Sequence, residues 1–173
     1  MITKIFGSIL IISSTFLMGN AKANGWKSQY LQMRTLYRIV SQIESEIRYA
    51  RITFAEIFSR ISGWEKGVYR IWLQTMSRQL NERAEGSFEK IWSQNIEKYL
   101  NNTSLSANEL ERLKLLGCSL GSCDLQFQIK MIDIYLQQIE EEMRNLQEEM
   151  RTKIRLCHWL GAMSGTLIAI LLL

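Results

Sequence analysis

The residues with reactive or metal-binding side chains are few and poorly arranged for catalysis. The chain has one histidine, His158, and three cysteines, Cys118, Cys123 and Cys157. A single histidine excludes an H-E-x-x-H zinc site, and no stretch matches G-x-x-x-x-G-K-[ST] or G-x-G-x-x-G, so no phosphate-cradling loop is expected. Cys118 and Cys123 form a C-x₄-C pair. Zinc sites favour C-x₂-C and need a second ligand pair, which is missing here. In a reducing compartment these thiols, and Cys157 with them, read as small apolar residues; in an oxidising one, a Cys118–Cys123 disulfide becomes plausible. An enzyme built on the C-x₄-C pair would show bound metal or redox activity. The carboxylates Glu140–Glu142 and Glu148–Glu149 are interleaved with Arg144, Arg151 and Lys153 on a periodic apolar pattern, which reads as the solvated face of a helix. His158 beside Trp159 reads as an interfacial pair. No catalytic residue, cofactor or metal is expected, and nothing requires nucleic acid.

The elements that carry these residues are long helices. Among 173 residues there is no proline, where average usage would give roughly eight. Proline interrupts helices, so its absence favours long uninterrupted ones. With 22% charged and 47% hydrophobic residues the chain is not a disordered tail protein. From Met33 the apolar positions run Leu36, Val40, Ile43, Ile47, Ala50, Phe54, Ile57, Ile61, steps of three and four over about four heptads. That seam predicts one helix stopped at Ser62-Gly63, with the glycine in the left-handed conformation. A second seam runs Leu125, Ile129, Ile132, Leu136, Ile139, Met143, Leu146, Met150. Each predicted helix of about thirty residues is roughly 45–50 Å long. Shorter helices lie between. Val68–Arg83 and Ser87–Leu100 carry a stripe of Tyr69, Trp72, Trp92 and Tyr99, read as core. Asn101–Thr103 is a loop, and Ser106-Ala-Asn-Glu109 is a capping box.

Both ends are free of charge over Ile5–Met18 and Trp159–Leu173. Each reaches spanning length, about 17–20 residues, as 5–21 and 156–173. Lys22 and Lys27 follow the first, and Arg151, Lys153 and Arg155 precede the second, which places the middle of the chain in the cytoplasm and suits anionic lipid headgroups. The segments 1–22 and 156–173 are therefore read as transmembrane helices flanking a 23–155 bundle. A competing reading takes Ala21-Lys22-Ala23 as an A-x-A cleavage site, leaving a tail-anchored extracytoplasmic coiled-coil binding protein. Gly161 and Gly165 form a G-x-x-x-G pair suited to close packing of transmembrane helices. The fold class is all-α: a helical bundle on two long antiparallel heptad helices between two membrane segments. Whether the heptads pair within one chain or between chains stays open.

One stretch carries a family resemblance. Leu116-Gly117-Cys118-Ser119-Leu120-Gly121-Ser122-Cys123-Asp124, followed by Gln128 and Lys130, resembles the LG-x-x-LG-x-x-D-x-x-x-Q-x-K pattern of the stage III sporulation protein AB family. Glu44-Ser45-Glu46-Ile47-Arg48-Tyr49 is similar to that family's L-E-x-E-I-x-Y, with Ile43 at the leucine position. Leu160-Gly161 through Gly165 to the terminal leucines resembles its ending. Where the family carries Thr-Pro-Leu, this chain has Ile52-Thr53-Phe54, which suggests a straighter first helix. The resemblance implies a non-enzymatic membrane scaffold in a secretion-like complex linking mother cell and forespore, in the mother-cell membrane facing the forespore. It implies a helical domain similar to the inner-membrane platform protein of type II secretion and type IV pilus machines. The implied partners are a secretion-type ATPase in the cytoplasm and membrane ring or channel subunits. Gly117, Leu120, Gly121, Asp124, Gln128 and Lys130 then become candidate partner contacts. The competing reading makes them a tight helix–helix corner, with Gly121 permitting the turn and Asp124 capping the next helix.

Overall fold

A computed structural model describes the backbone of residues 2–172 apart from 51, 83–85 and 123, and the side chains of 25–152 apart from the same positions. The elements are α1 (Ile2–Tyr49), α2 (Phe54–Ser62), α3 (Gly67–Asn81), α4 (Phe88–Tyr99), α5 (Ala107–Leu120) and α6 (Leu125–Leu172). No strand occurs among the described residues. The chain divides into two compact units: residues 31–142, and residues 1–30 with 143–173. The second consists of the outer stretches of α1 and α6. Both charge-free ends, with Gly161 and Gly165, lie outside the described side chains. Among the described residues no helix is long and apolar enough to cross a membrane.

The first apolar seam does not belong to one helix. Met33, Leu36, Val40, Ile43 and Ile47 are buried as expected, but α1 ends at Tyr49 and a new helix starts at Phe54. Thr53 is the cause. Its backbone is extended (φ −71°, ψ 154°) and its hydroxyl accepts the Glu56 amide at 3.3 Å. That is the first half of a Thr-x-x-Glu capping box, and it gives the chain a better use for these amides than helix continuation. Ile52-Thr53-Phe54 therefore breaks the helix without a proline. Ala50 and Phe54 are four residues apart, so the apolar rhythm passes across the break unchanged.

Two other local expectations are corrected. Gly63 ends α2 at φ −64°, an ordinary right-handed value that any residue adopts. The left-handed region is used instead by Gly67 and Gly86, at φ 60° and 135°, which open α3 and the approach to α4. The helix predicted at Val68–Arg83 runs from Gly67 to Asn81. The predicted cap at Ser106 forms, its hydroxyl accepting the Glu109 amide at 3.2 Å, and Ser87 caps α4 in the same way, accepting the Lys90 amide at 3.3 Å.

Inside unit 31–142, α2 packs on α3, α3 on α4 and α4 on α5. Of the Trp–Tyr stripe, Tyr69, Trp72 and Trp92 are core, whereas Tyr99 is only half-buried. Trp72 and Trp92 are fully buried and meet edge to face, with centroids 5.2 Å apart at 62°. Phe58 and Phe88 each lie 5.8 Å from Trp92. Three helices, α2, α3 and α4, thus share one aromatic cluster, whose edge-to-face and offset contacts add to its area burial. Salt bridges tie α1 to its neighbours: Arg60 reaches Glu46 at 2.9 Å, and Arg48 near the end of α1 lies 3.9 Å from Asp133 of α6.

Candidate functional site

The α5–α6 corner gathers most of the motif residues, and Gly117, Leu120, Asp124 and Gln128 each have a structural reason. The inner face of α5 is Leu113, Leu116, Gly117 and Leu120, all buried. Gly117 is bare because Trp92 occupies the space its side chain would take. A Cβ there would sit 2.2 Å from Trp92 Cδ1 and 2.8 Å from its Nε1. The indole is fixed in that position by donating a hydrogen bond from Nε1 to the Leu113 carbonyl at 2.7 Å.

The end of α5 is closed by groups from α6. The last carbonyls of a helix lack partners within it. Gln128 supplies one: its Nε2 donates to the Leu120 carbonyl at 2.8 Å and to the Ser122 carbonyl at 2.6 Å, and the residue is only 8% exposed. Asp124 caps α6 as expected, its Oδ1 accepting the amides of Gln126 at 2.9 Å and Phe127 at 3.4 Å. A carboxylate there also complements the positive end of the helix dipole. Gly121 does not behave as expected. Its φ is −72°, and a Cβ would meet only ordinary contacts at 3.7–3.8 Å. The turn does not need glycine at 121; the helix packing needs it at 117.

Lys130 differs from the other motif residues. It is exposed on α6 and makes no ion pair among the described residues. Phe127 and Ile134, at three residues before and four after it, share its face of the helix and are 44% and 37% exposed. Leu125, expected to begin the second apolar seam, is also exposed, because it lies in the first turn of α6, ahead of the buried run that starts at Gln128 and Ile129. The sequence reading missed Leu125 and Phe127 as surface residues. The available signal was that Phe127 falls off the Ile129–Ile132–Leu136 seam.

The reactive groups are placed as follows. Cys118 is a free, exposed thiol on α5, and Cys123 lies outside the described residues. The Cys118 thiol donates to Glu89 Oε1 of α4 at 3.1 Å. That hydrogen bond to a carboxylate, with partial burial, pushes its pKa up and makes the thiolate scarcer. Glu109, expected as the second member of the α5 capping box, is 1% exposed and does not reach back to the Ser106 amide. Its Oε1 accepts from Arg112 at 2.9 Å, while its Oε2 and the nearby Tyr135 hydroxyl are buried without a partner. Burial pushes the Glu109 carboxyl up, against the lowering effect of Arg112, and pushes the Tyr135 phenol well up. Among the described residues no group of three or more His, Cys, Asp or Glu side chains could hold a metal ion.

Comparison with known proteins agrees with the motif. The family model of stage III sporulation protein AB matches residues 4–173. The chain is 25% identical to stage III sporulation protein AB of Bacillus subtilis (strain 168) over 170 residues, covering 98% of this chain and 99% of that protein. A solved structure of a stage III sporulation protein AB superimposes with a TM-score of 0.66 at 23% identity, covering 72% of this chain and 97% of the other. That superposition carries the helical fold. Taken with the matched length, the corner motif leaves one assignment: the chain belongs to the stage III sporulation protein AB family.

Proposed function

We propose that this chain is a non-enzymatic scaffold anchored in the mother-cell membrane by 1–22 and 156–173, with its bundle in the cytoplasm, coupling a secretion-type ATPase to the membrane ring or channel subunits of a sporulation complex. Family membership gives it a role in sporulation; the scaffold, its membrane position and its partners are our reading. The observation that carries the reading is the division of labour at the α5–α6 corner. Gly117, Leu120, Asp124 and Gln128 are used up in holding the corner together, while Phe127, Lys130 and Ile134 stand exposed on one face of α6. Exposed aromatic and aliphatic side chains beside a cation form a compact anchor on a pre-organised support, the arrangement that concentrates binding energy in few residues. A partner surface with an apolar pocket and a nearby carboxylate would match it.

The charge-free ends supply the membrane half of the reading, on the arguments of length and flanking cations. The test is co-purification of the ATPase with the full chain from sporulating cells. Phe127→Ser with Lys130→Glu should abolish capture and block spore formation while the bundle stays folded. Gly121→Ala should leave both unchanged. Capture that survives the double change would remove the corner from the interface.

A further inference from the structure

We propose that Arg78 of α3, with Lys98 and Tyr99 of α4, binds the phosphate group of a small phosphorylated polyol whose hydroxyl-bearing body lies in the cleft between α2 and α3. Three observations point to it.

The first is the tyrosine. Tyr99, the last residue of α4, is only half-buried, unlike Tyr69, Trp72 and Trp92 of its stripe. Its hydroxyl oxygen accepts a hydrogen bond from the Thr75 hydroxyl of α3 at 3.3 Å. A phenol that accepts there still has its own proton to give to a ligand.

The second is charge. The Lys98 ammonium lies over the Tyr99 ring, 5.2 Å from its centroid. Arg78 follows Thr75 by three residues on α3, so the two share a face of the helix. The Thr75 hydrogen bond, with help from Lys98 and Arg78, holds the phenol below its ordinary range against the raising effect of partial burial. No carboxylate is among the groups that act on it. Among the described residues neither cation makes an ion pair, and Glu97, next to Lys98, is taken by Lys114 at 2.8 Å. Two unpaired cations and one O–H donor suit a phosphate, which carries up to two charges and three acceptor oxygens. A carboxylate would neutralise only one of the two.

The third is the cleft. Arg78 also lines a cavity of about 330 Å³ between α2 and α3, together with Ser59, Gln74, Asn81 and Glu82. No aromatic or aliphatic side chain lines it, so a nucleobase or an acyl chain would have nothing to pack on. Two further lining serines, Ser62 and Ser77, give their protons to the Ser59 and Ala55 carbonyls, each at 2.7 Å. Their oxygens remain as acceptors for ligand hydroxyls, beside the amides of Gln74 and Asn81 and the Glu82 carboxylate.

The experiment titrates the full chain in detergent micelles with glycerol phosphate, inorganic phosphate, glycerol and acetate, with binding read by calorimetry. Ring-carbon NMR of labelled tyrosine follows Tyr99, assigned by its loss in Tyr99→Phe. Glycerol phosphate should bind more tightly than inorganic phosphate, and glycerol and acetate should not compete. Saturation should move the Tyr99 titration to higher pH, because a nearby anion favours the neutral phenol. Arg78→Gln and Lys98→Gln change exposed residues and should each weaken binding by on the order of tenfold with helicity unchanged. Absence of binding, undiminished binding in both variants, or an unmoved Tyr99 titration at saturation would overturn the site. Acetate competing as well as phosphate would overturn the phosphate assignment, and equal binding of glycerol phosphate and inorganic phosphate would overturn the part given to the cleft.

Discussion

Two glycines of the corner motif should respond in opposite ways to the same substitution. Gly117 lies inside α5, where alanine would gain about 1 kcal/mol of helix propensity. Its new Cβ, however, would lie 2.2 Å from Cδ1 and 2.7 Å from Cγ of Trp92, so the indole must retreat by about 1 Å or more to reach normal carbon–carbon separation. Trp92 has little room to do so. It is fully buried, stacked against Phe88, edge-on to Trp72 and hydrogen-bonded to the Leu113 carbonyl. Overpacking of this kind costs typically 1–3 kcal/mol, here at the upper end because a ring must move, and losing the indole hydrogen bond adds about 1 kcal/mol. Gly117→Ala should therefore destabilise by about 3 kcal/mol net. Gly121→Ala meets open contact distances at a right-handed backbone, so it should be neutral or stabilising by up to about 0.5–1 kcal/mol. The assay is urea unfolding of the full chain in detergent micelles, followed by tryptophan emission. Trp92→Phe should weaken the penalty of Gly117→Ala, giving a positive coupling in a double-mutant cycle. Equal effects of the two alanine substitutions, or a Gly117→Ala loss below about 1 kcal/mol, would refute the packing argument.

Three further outcomes are expected. Thr53→Ala removes the hydroxyl that caps α2 and should cost about 1 kcal/mol, read as a lower urea midpoint at constant slope. Gln128→Leu takes away both donors that close the end of α5 and should cost about 2 kcal/mol, whereas Lys130→Ala, an exposed change, should stay within about 0.5 kcal/mol. Glu109 has its carboxyl pushed up from 4.5 by burial in the folded chain. The folded state then holds the proton more tightly than the unfolded state, so this residue's contribution is full below about 4.5 and is lost as pH rises through the higher folded value. Glu109→Gln should flatten that part of the stability–pH profile, and an unchanged slope in the variant would contradict the assignment.

Periodicity and capping made much of the fold legible in the sequence. Ser106-x-x-Glu109 and Asp124 announced their helices because a cap is a local exchange between a side chain and an amide a few residues away. The break at Thr53 used the same code, yet the apolar seam ran through it in phase and concealed it. The roles of the corner residues were harder to read. Glycine at 117 is explained by the indole of Trp92, a contact between different helices that no spacing within α5 records. Gln128 reads as an ordinary polar position until the end of α5 is placed against it. Leu125 and Phe127 look like core by residue type, and only the direction of the buried face of α6 shows that they lie outside it. The motif thus contains two kinds of residue: those that build the corner, and an exposed set including Lys130.

The central claim is that the bundle stands in the cytoplasm, where an ATPase can reach its corner. It is tested most directly by thiol labelling in intact sporulating cells with an impermeant reagent, on a chain with Cys123→Ser and Cys157→Ser that retains Cys118. This thiol is exposed, and its raised pKa calls for mildly alkaline labelling. The account predicts protection until the membrane is opened and full labelling afterwards. Labelling of Cys118 from outside intact cells would contradict it.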